Sequence, residues 1–350
     1  MDTTTNRVRV GILGASGYTG AELLRLLAEH PAADIRLLTG DRAAGKDIGE
    51  VFPHLGGLAL PRLKKVEEAD WSDLDLVFCA LPHGTTQEVI AALPRSLKVV
   101  DLSADFRLAN TATYAEWYGH QHRAPDLQKD AVYGLTELTR EAVKSARLVA
   151  NPGCYPTSAQ LPLVPLIEER LIEVDDIIID AKSGVSGAGR AEKEANLFAE
   201  VSEGIHAYGM AGHRHAPEIE QGLSRAAGHS VTVNFTPHLV PMNRGILATI
   251  YVRLVAGAAV LDLQAELERS YEGEPFARVL PFKSLPATRH VRSTNACLMA
   301  VHPGRTPDRA ILLSAADNLV KGASGQALQN MNLMLGLQET AGLDQPALFP

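Results

Sequence analysis

The residues best suited to chemistry lie in Asn151-Pro152-Gly153-Cys154-Tyr155-Pro156-Thr157. An apolar run, Arg147-Leu148-Val149-Ala150, leads in, and Ser158 to Arg170 follows with helical spacing. This predicts a cysteine at a strand-to-helix turn. Helix N–H groups and the positive end of the helix dipole favour thiolate over thiol. A thiolate attacks acyl carbons readily. A buried structural thiol is the commoner fate of a free cysteine. Glycine and two prolines around Cys154 are ill suited to burial within a regular element, so Cys154 is read as the nucleophile. Cys79 and Cys297 sit in the apolar runs 76–81 and 296–301 and read as strand-core residues.

A second cluster is Gly212-His213-Arg214-His215-Ala216-Pro217-Glu218-Ile219. Histidines two apart are not the helical i,i+4 pair of a zinc site, and no paired cysteines accompany them. Histidine titrates near working pH, so a general base or acid for the cysteine fits better. Glu218, three residues after His215, would orient it if Pro217 opens a helix. Either His213 or His215 can take the role. A third cluster runs from Lys182 and Ser183 to Arg190, with three glycines and Ser186 between. It reads as a cradle for phosphate or carboxylate, or as a flexible polar loop.

These groups need elements to hold them. Residues 7–13 predict a short buried strand that enters Gly14-Ala15-Ser16-Gly17-Tyr18-Thr19-Gly20, and residues 21–27 continue with helical spacing. Strand, glycine loop and helix form the context of a dinucleotide site, in which glycines admit a pyrophosphate to the helix start. The spacing is G-x-x-G-x-x-G. After a second strand at 34–39, Asp41, Arg42 and Lys46 stand together. The basic pair suits the 2′-phosphate of NADP, whereas Asp41 would suit a ribose hydroxyl. Further strands at 75–81 and 97–102 lead to Pro82-His83-Gly84 and Ser103-Ala104-Asp105-Phe106-Arg107. Alternating strands and helices imply a doubly wound parallel sheet with ligands at its carboxyl edge. His83 there reads as structural or cofactor-lining, and Arg107 suits an anionic ligand. After Cys154 the strands at 176–182, 231–235 and 247–252, with a loop at 238–245 between the last two, suggest a mixed, largely antiparallel sheet. Residues 326–337 predict a terminal helix whose methionines are core.

The chain has 350 residues, 46% hydrophobic and 21% charged, with net charge −8, enough for two domains. The acidic balance argues against a broad nucleic-acid surface. Three cysteines make no disulfide framework, which suits a reducing compartment. No apolar run approaches the roughly 18 residues of a membrane span. Residues 1–6 are polar, without the apolar stretch of a signal peptide. The expected location is the cytoplasm.

Taken together, the glycine loop 14–20, the segment 102–107, the cysteine motif 151–157 and the His-Arg-His motif 212–219 resemble the N-acetyl-gamma-glutamyl-phosphate reductases. These belong to the aspartate-semialdehyde and glyceraldehyde-phosphate dehydrogenase group. The resemblance runs from Val8 to about the 326–337 helix. It implies an α/β fold: a Rossmann domain over 1–153, completed by a C-terminal helix at 320–350, and an α+β catalytic and dimerisation domain over 154–319. It implies Cys154 as nucleophile, His215 or His213 as acid/base and Glu218 as its orienting partner. Gly14, Ser16, Gly17, Tyr18 and Thr19 would hold the NADP pyrophosphate, Arg42 the 2′-phosphate, and Asn318 would lie near the nicotinamide. Arg107, Lys182, Ser183 and Arg190 would contact the substrate. Gly40-Asp41-Arg42 departs from the Ser-Arg expected of the family. The implied reaction reduces a small acyl phosphate with NADPH through a thioester, in arginine biosynthesis, by a homodimer or homotetramer with no metal, nucleic acid or membrane partner. Alternatives are a relative acting on aspartyl phosphate or carrier-linked aminoadipyl phosphate, or a non-enzymatic NADP sensor.

Overall fold

The structure is a computed structural model that describes residues 7–349; the polar segment Met1–Asn6 and the final residue Pro350 lie outside the described residues. The chain divides into two units. The first comprises residues up to Pro152 together with Ala323–Asp344, and the second comprises Gly153–Gly322 with 345–350.

The first unit carries β1 (Val8–Leu13), β2 (Ala33–Thr39), β3 (Leu63–Lys64), β4 (Leu76–Cys79), β5 (Lys98–Asp101), β6 (Ala131–Tyr133) and β7 (Leu148–Ala150). They pair in the order β3-β2-β1-β4-β5-β7-β6. Every pairing is parallel. All four residues of β4 and all three of β7 are buried. Such unbroken apolar runs suit strands covered on both faces. Leu13, Val77, Phe106 and Leu148 share one core cluster. The order reverses beside β1, so the loops after β1 and β4 border the crevice in which α/β sheets bind ligands.

The terminal helix is Gly325–Met334, preceded by a π turn over Val320–Ser324 and three residues shorter at its end than the sequence suggests. Every residue of it is buried. Each of its polar side chains has at least one partner within the unit. Thr136 Oγ1 donates to Asn330 Oδ1 at 2.8 Å, and Asn330 Nδ2 donates to Gly134 O at 2.8 Å. A fully buried helix can thus hold Gln326, Gln329, Asn330 and Asn332.

The second unit carries β8 (Ile178–Gly184), β9 (His206–Ala207), β10 (Asn234–Val240), β11 (Ile246–Arg253), β12 (Ala277–Val279), β13 (Cys297–Pro303) and β14 (Arg309–Ala316). The order is β12-β13-β14-β11-β8-β10-β9. Only β8–β10 and β12–β13 are parallel, so the sheet is mixed and largely antiparallel. Burial alternates along β10 and β11, which covers one face. Because that alternation carries Phe235, Pro237 and Leu239 inward, β10 runs on to Val240, and His238 belongs to a strand rather than to the expected loop.

The covering element is the helix Cys154–Glu168, packed on β11, β14 and the helix Ala216–Ala227. It begins at Cys154, four residues earlier than the sequence suggests. Pro156 does not stop it, since first-turn N–H groups have no intrahelical partner to lose. Pro165 leaves Leu161 O without its helical donor, and Tyr271 Oη supplies one at 2.5 Å. Among the described residues no helix is long and apolar enough to cross a membrane.

Candidate active site

Cys154 occupies the first position of its helix, with Gly153 as the N-cap and no acidic residue in the first turn. The positive end of the helix dipole therefore faces the thiol, with no acid from the helix's own first turn beside it. Thr157 N and Thr157 Oγ1 both donate to Gly153 O at 3.0 Å. Ser158 Oγ donates to Cys154 O at 3.1 Å. Cys154 is half-buried, whereas Cys79 and Cys297 are fully buried in β4 and β13. Burial, with Asp101 and Asp105 nearby, pushes the Cys79 thiol well above its ordinary range.

Glu218 is buried, and its Oε1 accepts the Gly153 N–H at 2.8 Å. Gln160 Nε2 donates to Glu218 O at 3.1 Å, so the two helices clamp the cysteine turn. Pro217 does open a helix, and His215 is the residue that caps it. The His215 N–H donates to His213 Nδ1 at 3.1 Å. His213 sits in a box of rings, with centroids at 5.6 Å from Tyr155, 5.3 Å from Tyr208, 5.4 Å from Phe235 and 4.9 Å from His215. Burial, with the Arg214 charge, lowers His213 to about 4. Tyr155, the neighbour of Cys154, also meets His215 at 5.8 Å. Tyr208 Oη donates to Tyr155 Oη at 3.1 Å, and Tyr155 Oη donates to His238 O at 3.3 Å. Burial raises both phenols, Tyr208 to about 12, so both stay neutral.

The Lys182–Arg190 segment is only partly a loop. Lys182, Ser183 and Gly184 end β8, and Val185–Ala188 form a 3-10 turn. Successive strand residues face opposite ways. Ser183 is buried on the covered face, and its Oγ donates to Gly184 O at 3.0 Å. Lys182 lies on the other face, paired with Asp180 at 3.0 Å, so it is not brought to the Cys154 side. Arg190 is exposed beyond the turn. Asn318 is buried, with Oδ1 accepting the Gly245 N–H at 2.7 Å and Nδ2 donating to Ser186 Oγ at 2.9 Å. It ties the 185–188 turn to the loop after β10.

In the first unit Gly14 has φ +80°, and a Cβ there would lie 2.3 Å from Ala80 O. A Cβ on Gly20 would lie 2.6 Å from Ala15 Cα. Only glycine lets the loop fold this tightly against the end of β4. Gly17 caps the helix Tyr18–Ala28 with no side-chain acceptor, and the first turn holds no acid. That bare helix start suits the pyrophosphate of a dinucleotide, with Ser16, Tyr18 and Thr19 beside it. Arg42 lies exposed in the turn Asp41–Ala43 after β2, with Lys46 exposed nearby. These residues fit NADP. Arg107, expected to meet an anion, is largely buried and donates to Asn151 O at 2.8 Å and Leu102 O at 2.9 Å. It clamps the main chain beyond β5 and β7. Among the described residues no group of three or more His, Cys, Asp or Glu could hold a metal ion.

Residues 9–146 match the family model of the semialdehyde dehydrogenase NAD binding domain, and residues 154–318 match that of the semialdehyde dehydrogenase dimerisation domain. An N-acetyl-gamma-glutamyl-phosphate reductase from Rhodospirillum rubrum is 61% identical, over 99% of this chain and 100% of the relative. One from Afipia carboxidovorans is 60% identical, over 97% of this chain and 98% of its own length. The chain belongs to the N-acetyl-gamma-glutamyl-phosphate reductase family.

Among solved structures, aspartate semialdehyde dehydrogenase II of Vibrio cholerae shares the fold of this reductase-family chain, with TM-score 0.71 and 19% identity over 94% of this chain and 98% of its own. Tyr155 lies within the cysteine motif, whereas Tyr208, Phe235 and Gly322 join this site without any signal near that motif. Tyr155 was readable from its place beside the cysteine. The other three come from distant segments and carry no local signal. A Cβ on Gly322 would lie 2.6 Å from that of Cys154.

Proposed function

We propose that the chain reduces N-acetyl-L-glutamyl 5-phosphate to N-acetyl-L-glutamate 5-semialdehyde with NADPH, releasing phosphate, as a step of arginine biosynthesis. One observation carries the mechanism. Of three cysteines, only Cys154 is accessible, and it opens a helix beside a histidine pair.

The Cys154 sulfur attacks the acyl carbon, the carbon–oxygen bond to phosphate breaks, and a thioester remains on the enzyme. First-turn N–H groups stabilise the oxyanion of each tetrahedral intermediate. NADPH, when held by the glycine loop and Arg42, supplies the hydride that reduces the thioester carbon. The resulting thiohemiacetal on Cys154 collapses, the carbon–sulfur bond breaks, and a histidine returns a proton to sulfur. We assign that role to His215. His213 is surrounded by rings and resists protonation, and its Nδ1 already takes the His215 N–H. His213 then fixes the backbone of His215, and Glu218 fixes the cysteine turn at Gly153. On this reading Ser183 lines the substrate side of Cys154, Arg190 reaches the substrate from the exposed turn, and Asn318 shapes the loop beside the nicotinamide.

The reading includes a cytoplasmic homodimer or homotetramer. The match to a dimerisation-domain model and the exposed Leu197, Phe198, Ile205 and Met210 support self-association. It also keeps a cofactor domain over 1–153 with a returning helix and a catalytic domain over 154–319.

The test is turnover in the reverse direction with N-acetylglutamate semialdehyde, phosphate and NADP. Cys154→Ser should nearly abolish it while NADPH still binds. Near-normal turnover by that variant would sink the mechanism. Faster turnover of aspartate semialdehyde by the wild type would sink the substrate assignment.

A further inference from the structure

The corner after β5 contains a buried chain of four oxygen groups within the first unit. Asp101 Oδ2 lies 2.7 Å from Ser103 Oγ, Ser103 Oγ 2.7 Å from Thr86 Oγ1, and Thr86 Oγ1 2.7 Å from Asp105 Oδ2. All four residues are inaccessible to solvent or nearly so. An oxygen–oxygen contact at this distance is a hydrogen bond and contains one proton. Three links therefore need three protons. The two hydroxyls supply one each. With both carboxylates ionised, one link would set lone pair against lone pair, so the third proton sits on a carboxyl group.

The donors decide which one. Asp105 accepts the Gly84 N–H at 2.8 and 3.0 Å, the Thr86 N–H at 3.1 Å and Tyr114 Oη at 2.9 Å. Every one of these partners is a donor, so Asp105 acts toward them only as an acceptor. Asp101 accepts a single N–H, that of Ser103 at 3.0 Å. Ser103 Oγ also accepts the Asp105 N–H at 3.1 Å. If Asp101 donates to Ser103, both Ser103 lone pairs are filled. Ser103 then donates to Thr86, and Thr86 to Asp105, so each oxygen in the chain has the proton it needs.

The charged and titratable groups facing this corner agree. Cys79 lies opposite Asp101 on β4 and stays a neutral thiol. Burial, with the Asp105 charge, raises Asp101 to about 7 against the opposing pull of the Ser103 hydrogen bonds and the Arg107 charge. His122 Nε2 meets Asp105 O, and His83 Nδ1 accepts the Ala104 N–H, so both imidazoles engage backbone.

We propose that Asp101 is a positioning residue that works as a neutral carboxylic acid. Its proton closes the Asp101–Ser103–Thr86–Asp105 chain and sets the 102–107 corner from which Arg107 clamps the ends of β5 and β7. The effect on turnover rests on the function proposed above; the proton does not.

Three readings on the full chain test this. In carbon-13 spectra of labelled aspartate carboxyls, the wild type should show one resonance at the protonated position near about pH 6. Asp101→Asn should lack it. A wild-type spectrum with every aspartate ionised there overturns the proposal. Denaturant midpoints form the second reading. A raised folded pKa means that stability is lost as pH rises, here up to about 7. The amide that Asp101→Asn introduces donates to Ser103 Oγ and accepts the Ser103 N–H as the neutral acid does. The wild type should therefore lose stability against Asp101→Asn as pH rises from about 5 to about 8. A variant that does not fold, or that is weakened equally at every pH, overturns the idea. The third reading is reverse turnover, each protein normalised to its own value near about pH 6. At about pH 9 the wild type should have lost several-fold more than Asp101→Asn. Identical profiles with the proton present would overturn the positioning role. A wild type without any turnover would instead overturn the proposed function and leave the proton standing.

Discussion

Gly322→Ala puts a single methyl group behind the nucleophile. Its Cβ would lie 2.6 Å from Cys154 Cβ and 3.0 Å from Cys154 Cα. Ordinary contact begins at 3.4 Å, so the pair must open by about 0.8 Å. Neither side yields freely. The Gly153 N–H is held by buried Glu218, and the Gly322 N–H donates to Asp317 O at 2.9 Å. Gly322 is not at positive φ, so the cost is contact rather than backbone strain. Overpacking of this kind costs about 1–3 kcal/mol of stability. A shift near 1 Å at a reacting group costs roughly 100-fold in rate, about 2.7 kcal/mol of transition-state stabilisation. We expect kcat to fall by roughly 10- to 100-fold while the fold persists. The assay pairs reverse turnover with thermal unfolding and the rate of Cys154 alkylation. Gly57→Ala is the control, since a Cβ there meets nothing within 4 Å and stability should move by less than about 0.5 kcal/mol. A folded Gly322→Ala enzyme with kcat within about twofold of wild type would refute the reasoning.

Other outcomes follow from the same geometry. Glu218→Ala leaves the buried Gly153 N–H without its acceptor and should cost about 1–3 kcal/mol in urea unfolding, whereas Glu218→Gln keeps an acceptor oxygen and should cost less. Equal losses in the two would argue against that hydrogen bond. Gly14→Ala forces a non-glycine residue to φ +80° and onto Ala80 O, so NADPH fluorescence titration should show affinity reduced by about tenfold or more. His213 has a lowered folded pKa, so the unfolded chain takes up its proton first as pH falls. Its contribution is complete above about 6.5 and is lost as pH drops through about 4. His213→Phe should therefore lose less stability than wild type over that window, and parallel curves would contradict the assignment.

Much of the first unit was readable because its signals are local. A strand, a glycine loop and a helix lie within the first 28 residues, and apolar runs mark β4 and β7. The second sheet was readable in kind but not in its edges. Ser183 and Gly184 look like the start of a loop after the strand at 176–182, yet they complete β8, which separates Ser183 from Lys182 by face. Pro156 looks like a break, yet at a helix start it costs nothing. The terminal helix reads as one whose methionines are core, and its polar side is buried too because Thr136 and Gly134 supply partners from far along the chain.

By itself the sequence determined which groups are available: one cysteine in a turn, a histidine pair with a glutamate behind it, and a glycine loop between strand and helix. These depend on neighbours within a few residues, where propensity and spacing act. Which histidine is boxed in by rings depended on Tyr155, Tyr208 and Phe235. The proton of Asp101 depended on Thr86 and Asp105. Only tertiary structure decided those, because burial and hydrogen-bond partners are properties of groups that meet across the fold. Neither exists in the chain until distant segments pack.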